Sequence, residues 1–298
     1  MVLIVLSGGI GAQMFQFAAG FALAKKHNCK LIIDTCWFNK NNVFATKPFT
    51  IKKFLNLKNY YFIKNIWISR LLRFFFLICH YFSFGKYNYL KVNLHNPMEF
   101  KKITQFKNLF LNGYVQNIDY FKNDISEILD KIIISEYNKE NQNNLYKIAM
   151  HVRKGDQKNG PVDFLNNDYY QKGLKKILDK KNIDYDNLKI VIFCEEIEWP
   201  KKNLIFDSRV KNIEYIIGDD NSAVLDLQKM MNCDSIIMSN SGYSWWAAAY
   251  INQKKKGFVV CPDLWWNRIP VSKTNIYLDE WIIVQTNIQP NQNPEFTA

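Results

Sequence analysis

Ile148-Ala149-Met150-His151-Val152-Arg153-Lys154-Gly155-Asp156 reads as the end of a buried strand that runs straight into a charged loop. Open α/β sheets bind ligands in the crevice outside the carboxyl ends of their strands. This loop carries an imidazole, a guanidinium, an ammonium and a carboxylate within six residues, which makes it a candidate for chemistry. Alone it is better read as a solvated turn whose charges only keep it wet. A second junction changes the balance: Ser235–Ser239 is strand-like, and Asn240-Ser241-Gly242-Tyr243-Ser244-Trp245-Trp246 follows as a loop of small polar residues that starts a helix. Such residues are ordinary helix caps, but the free N–H groups of a helix start also attract anions. Paired with Arg153 at another strand end of one sheet, the junction makes a pyrophosphate cradle of a bidentate fork and backbone donors.

The surrounding pattern supports that sheet. Strands are expected over Lys147–Val152, Lys189–Cys194, Val210–Ile217, Ser235–Ser239 and Gly257–Cys261. Between them lie helical segments over Tyr169–Lys181, Ala223–Asn232 and Tyr243–Gln253. Alternation of this kind argues for crossovers and a parallel sheet. The polar stretch Glu136–Asn144 separates it from an N-terminal half, giving lobes of residues 1–140 and 141–298.

The N-terminal half opens with a strand (Val2–Leu6), a glycine-rich turn (Ser7–Gln13), a helix to about Lys26 and a strand (Lys30–Asp34). This is the outline of a dinucleotide-binding unit with Asp34 offered to a ribose, although Met14 stands where the third glycine belongs. A nucleotide-dependent oxidoreductase is therefore one rival reading. Lys107–Tyr120 reads as strand and turn, and Ile118–Ile132 as a helix. Asn65–Phe84 is the most apolar segment, but Arg70, Arg73 and His80 interrupt it. It is expected to be a helix packed on both sides or docked at a seam between domains; a basic helix lying on a membrane surface is the minority reading.

With 48% hydrophobic and 22% charged residues the 298-residue chain is globular. The net charge of +12 favours anionic partners, yet Lys, Asn and Ile are frequent throughout, and no basic block resembles a nucleic-acid arm. No C-x-x-C pair occurs among the six cysteines, which suits buried thiols in a reducing compartment, and the apolar start, short and without a basic n-region, is not expected to act as a signal peptide. A cytoplasmic protein is expected. The Trp-rich loops (Trp245, Trp246, Trp265, Trp266) leave a non-enzymatic carbohydrate-binding protein as a further alternative.

Over nearly its whole length the sequence resembles the bacterial α-1,2-fucosyltransferases. Gly8-Gly9-Ile10-Gly11-Ala12-Gln13-Met14-Phe15-Gln16-Phe17-Ala18 is similar to the family's G-G-L-G-N-Q-M-F-Q-Y-A, and His151-Val152-Arg153-Lys154-Gly155-Asp156 to its H-x-R-R-G-D. Ser239–Trp246 resembles its S-N-S-T-F-S-W-W, and Asn112–Gln116 with Tyr120-Phe121 its G-Y-F-Q…Y-F segment. The resemblance implies an α/β glycosyltransferase B fold, two Rossmann-like lobes with a cleft between them, the C-terminal lobe holding the donor nucleotide and the N-terminal one facing the acceptor. It implies inverting, metal-free transfer of L-fucose from GDP-fucose to the 2-hydroxyl of a terminal β-galactoside, such as lactose or an O-antigen or lacto-type core. Another acceptor or linkage is the nearest alternative.

Carried over by position, Arg153 holds the β-phosphate, His151 contacts the nucleotide and Asp226 reads guanine N1–H and N2–H. Asn240, Ser241, Gly242, Tyr243 and Ser244 complete the phosphate cradle, Glu195 contacts ribose or base, and Gly9, Gly11 and Gln13 add donor contacts. Asp156 is the expected base. Ala12 replaces the family's Asn, Lys154 its second Arg, and Cys194-Glu195-Glu196 its S-D-D. The D-x-D spacing of Asp184 and Asp186 lies in a Lys/Asn-rich loop and is read as solvated.

Overall fold

The computed structural model describes residues 1–39, 42, 45, 47–82, 87–92, 107–113, 115–133, 145–153, 165–265 and 268–290. The chain divides into two compact units, Met1–Ile133 and Ile134–Pro294, a few residues before the boundary expected within Glu136–Asn144.

The first unit is a five-stranded parallel sheet built from β1 (Val2–Val5), β2 (Leu31–Asp34), β3 (Tyr61–Ile63), β4 (Tyr87–Val92) and β5 (Asn108–Gly113), in the order β3-β2-β1-β5-β4. Strand β1 is buried on both faces, as its unbroken apolar run requires of a central parallel strand. It is followed by α1 (Ile10–Lys26), which is buried along nearly its whole circumference. Gly8 makes the turn between them at φ 71°, a left-handed conformation that a Cβ would strain. The short α2 (Ile51–Phe54) and the long α3 (Ile66–Phe82) follow.

The expected helix over Ile118–Ile132 is instead two 3₁₀ turns, Ile118–Tyr120 and Lys122–Asp124, and a short α4 (Ile125–Leu129). Asn117 caps the first turn by accepting the Asp119 N–H, and Phe121, at φ −145°, breaks the helix. Ile118, Ile125, Ile128, Leu129 and Ile132 are nonetheless buried. Spacing of three serves 3₁₀ turns as well as α-helix, so the apolar pattern could not distinguish them.

The second unit is a six-stranded parallel sheet: β6 (Tyr146–Val152), β7 (Leu188–Cys194), β8 (Asn212–Ile217), β9 (Ser235–Ile237), β10 (Val259–Pro262) and β11 (Ile282–Val284), in the order β11-β10-β9-β6-β7-β8. Counted from β6, this is the 3-2-1-4-5-6 order of a doubly wound nucleotide-binding sheet. The chain reverses direction between β6 and β9. Helices α5 (Asn167–Lys181), α6 (Glu198–Asn203), α7 (Ala223–Met231) and α8 (Gly242–Lys255) complete the unit. Ile148, Met150, Ile190, Ile192, Ile237 and Val260 of the sheet form one core with Tyr169, Leu174 and Ile177 of α5.

All six cysteines are free, and burial pushes the Cys194 thiol up to about 11 and that of Cys233 up to about 12. Raised in this way, the buried Cys194 and Cys233 thiols act as packing groups rather than nucleophiles. Among the described residues no helix is long and apolar enough to cross a membrane.

Candidate functional site

The site forms at the carboxyl edge of the second sheet, where the strand order reverses. Ser241 caps α8: its side-chain oxygen accepts the Tyr243 N–H at 3.3 Å. The same oxygen accepts a hydrogen bond from Arg153 Nη1 at 3.2 Å. A half-buried guanidinium at the end of β6 therefore sits against the N-terminus of a 14-residue helix. The guanidinium, the capping hydroxyl and the positive end of the helix dipole all favour an anion at this point.

His151 lies one turn of pleat before Arg153 and is buried, with Nδ1 2.8 Å from Ser239 Oγ and its ring 5.6 Å from that of Tyr243. Burial, followed by the charge of Arg153, pushes its pKa down to about 3. It acts as a neutral imidazole and offers hydrogen bonds rather than charge. In the unfolded chain the same group titrates near 6.5. Between those values the unfolded state takes up a proton that the folded state refuses, so stability falls as pH drops, by up to about 1.4 kcal/mol per pH unit. His151→Gln is expected to flatten this acid limb in denaturation midpoints measured from about pH 6.5 down to about pH 4. An unchanged limb would assign the acid sensitivity elsewhere.

Two adjacent tyrosines at the start of α5 hold the two strand ends together. Tyr169 donates to Met238 O at 2.6 Å, just beyond β9, and Tyr170 donates to His151 O at 3.0 Å on β6. Sequence reading passed over both. The signal available was a tandem Tyr pair beginning a helix between two candidate strands, with phenols that need buried acceptors.

Asp226 is buried on α7, where it accepts the Ser222 hydroxyl and lies 3.5 Å from Lys229 Nζ. Its carboxylate stands against Gly218, just past β8, so closely that a Cβ there would come within 2.8 Å of Oδ2. Tyr243 bonds Ala223 O at 2.6 Å and so fixes the first turn of α7 to that of α8. Asp226 and the Arg153–Ser241 pair thus belong to one edge of the sheet. Asn240 and Ser244 are buried there, Gly242 is half-buried, and Glu195 is exposed directly after β7. Asp156, with Lys154 and Gly155, lies outside the described residues.

The N-terminal motif divides differently. Among the described residues, its chain neighbours aside, a Cβ at Gly9 would meet nothing nearer than Lys47 Cγ at 4.0 Å. Gly11 is buried in the first turn. Gln13 is not available to a donor, and its carried-over role is corrected. Its amide donates to Gly8 O and Pro48 O and accepts the Thr50 and Ile51 N–H groups, which uses every hydrogen-bonding position it has. Gln13 holds the Thr50 loop to the glycine turn.

Two rival readings lose their residues. Asp34 is fully buried, and accepts the Cys36 N–H at 2.9 Å, the Ser69 hydroxyl at 2.5 Å and Arg73 Nη2 at 3.1 Å, so it is a clamp for α3 and no ribose partner. Trp245, Trp246 and Trp265 are core side chains and form no sugar platform, while Trp266 lies outside the described residues. Of the D-x-D pair, Asp186 is exposed and paired with Lys211 at 2.7 Å.

Two parallel Rossmann-like sheets, the second with Arg153 against a helix start at its switch point, are the layout of the glycosyltransferase B fold. The crystal structure of NodZ α-1,6-fucosyltransferase soaked with GDP-fucose matches the fold at TM-score 0.50 and 12% identity, over 84% of this chain and 92% of that one. The family profile described as "Glycosyl transferase family 11" matches residues 1–285, and the chain belongs to that family. It is similar to an α-1,2-colitosyltransferase of Escherichia coli, 26% identical over 94% of this chain and 97% of that protein. It is also similar to the O-antigen biosynthesis glycosyltransferase WbnK of Escherichia coli, 26% identical over 93% of this chain and 98% of that protein.

Proposed function

We propose that the chain transfers L-fucose from GDP-fucose to the 2-hydroxyl of a terminal β-galactoside, with inversion, without a metal ion, and with release of GDP. The observation that carries this reading is the bond from Arg153 to the capping Ser241 of α8 at the switch point of the second sheet. As the bond from sugar C1 to the β-phosphate oxygen breaks, negative charge grows on the diphosphate. Arg153 and the positive end of α8 are proposed to receive it, doing electrostatically what a divalent cation does in other transferases. The acceptor oxygen bonds to C1 from the opposite face and gives up its proton; Asp156 is the base proposed to take it. Asp226 is proposed to accept the paired donors of guanine, and His151, neutral, to hydrogen-bond the nucleotide.

The relatives support the linkage and the setting: one is named for α-1,2 transfer of colitose, the other for O-antigen biosynthesis. The first also sets colitose against fucose as the donor sugar. Six free thiols suit work in the cytoplasm. The test is GDP release from GDP-fucose with EDTA present, with and without lactose, followed by linkage analysis of the product. Lactose-stimulated release with a 2-fucosylated galactose is the expected result. No release with any β-galactoside would overturn the proposal, and turnover only after metal is restored would overturn its metal-free part.

A further inference from the structure

Helix α3 is amphipathic with its apolar face outward. Ser69, Leu72, Arg73 and Phe76 face the sheet, where Leu72 and Phe76 pack on Leu3, Val5 and Phe110 and the two polar residues clamp onto Asp34. The remaining surface, about 200° of arc at 100° per residue, is almost wholly apolar and includes Trp67 (70% exposed), Leu71 (68%), Phe74 (60%), Tyr81 (75%) and Phe82 (79%). This corrects the expectation of a helix covered on both sides. With aromatic side chains of about 150–250 Å² each, the face amounts to on the order of 1,000 Å², where the largest patch on a monomer is usually roughly 300–600 Å².

The charge of the chain identifies what covers it. From Thr35 to Met98 there are 64 residues with ten Lys or Arg and no Asp or Glu. The rest of the chain holds 29 basic against 27 acidic residues, so ten of the twelve excess positive charges belong to this one stretch and not to a general drift of composition. Helix α3 lies inside it. Arg70 stands on the flank of the apolar face with its guanidinium 5.2 Å from the Trp67 ring, and exposed Lys64 precedes the helix. An apolar face bordered by unopposed cations matches the acyl boundary and anionic headgroups of a bilayer surface. A second copy of the chain would bring two such basic stretches together.

We propose that α3 docks the protein onto anionic phospholipid, lying in the plane of the interface with Trp67, Leu71, Phe74 and Phe82 inserted. The inference is independent of which sugar is transferred. The full chain is to be sedimented with vesicles of equal parts phosphatidylglycerol and phosphatidylcholine, and with vesicles of phosphatidylcholine alone. Binding to the anionic vesicles is expected, weakening as salt shortens the Debye length from about 10 Å to about 3 Å. Leu71→Glu with Phe74→Glu is expected to weaken it about tenfold or more, while Ile205→Glu, at an equally exposed apolar residue of the second unit (71%), leaves it unchanged. Turnover on a soluble acceptor should be the same in all three proteins. Equal sedimentation of wild type and the double variant would overturn the proposal. So would a wild-type dimer or protein complex that the double variant dissolves without any vesicle binding.

Discussion

Arg153→Ala is expected to lower turnover ~10²–10³-fold, equivalent to about 3–4 kcal/mol of transition-state stabilisation. The guanidinium lies at the capped start of α8, and the diphosphate charge it is proposed to meet increases as the sugar departs. Its loss should therefore fall mainly on kcat. The fold should stand, because β6 is held by Ile148, Met150 and Val152 in the core and by the Tyr170 hydroxyl on the His151 carbonyl near its carboxyl end. Arg153→Lys keeps the charge and loses the fork, so its activity should lie between those of wild type and Arg153→Ala. More than about a tenth of wild-type turnover in Arg153→Ala would remove the residue from this role.

Asp34→Ala is expected to destabilise the first unit strongly for a change at a polar residue. The carboxylate is fully buried and serves three donors: the Cys36 N–H, the Ser69 hydroxyl and Arg73. Removing one partner of a buried ion pair costs about 3–5 kcal/mol. Because the Arg73 side chain is about a third exposed, water recovers part of that loss, and a cost of about 2–3 kcal/mol is expected. The damage should centre on α3, which contributes the Ser69 hydroxyl and the Arg73 guanidinium to Asp34, and appear as faster amide exchange over Ile66–Phe82. A double-mutant cycle with Arg73→Met should recover much of the penalty, since no cation is then stranded. Denaturant midpoints that match wild type for Asp34→Ala would show that packing of Leu72 and Phe76 alone holds the helix.

Much of the second unit could be read from the sequence because each element there states its type twice. The strand expected over Lys147–Val152 is β6, and the helix expected over Tyr169–Lys181 is α5, extended to the Asn166 cap. Apolar runs gave the strands, and cap residues gave the helix starts. The pairing of Arg153 with Ser241 was also legible, because parallel strands place consecutive strand-to-loop junctions on one edge.

What escaped was structure whose apolar pattern has more than one solution. Strands β3 and β11 have three residues each, too few to show a period. The apolar surface of α3 looks the same in sequence whether it faces a core or a bilayer. The clue lay in its polar residues, since Ser69 and Arg73 are spaced to face Asp34 together. Gln13 shows the same limit at a motif. An amide beside a glycine turn suits a ligand or a loop equally, and only the positions of Pro48, Thr50 and Ile51 decide which.

The central claim is that the switch point of the second sheet holds a guanosine diphosphate. It is tested most directly by calorimetric titration of wild type and Arg153→Ala with GDP and with ADP, EDTA present throughout. The account predicts that wild type binds GDP in preference to ADP, because Asp226 accepts the paired donors that guanine has and adenine lacks, and that Arg153→Ala binds GDP more weakly. Equal affinity for the two nucleotides, or GDP binding untouched by loss of Arg153, would contradict it.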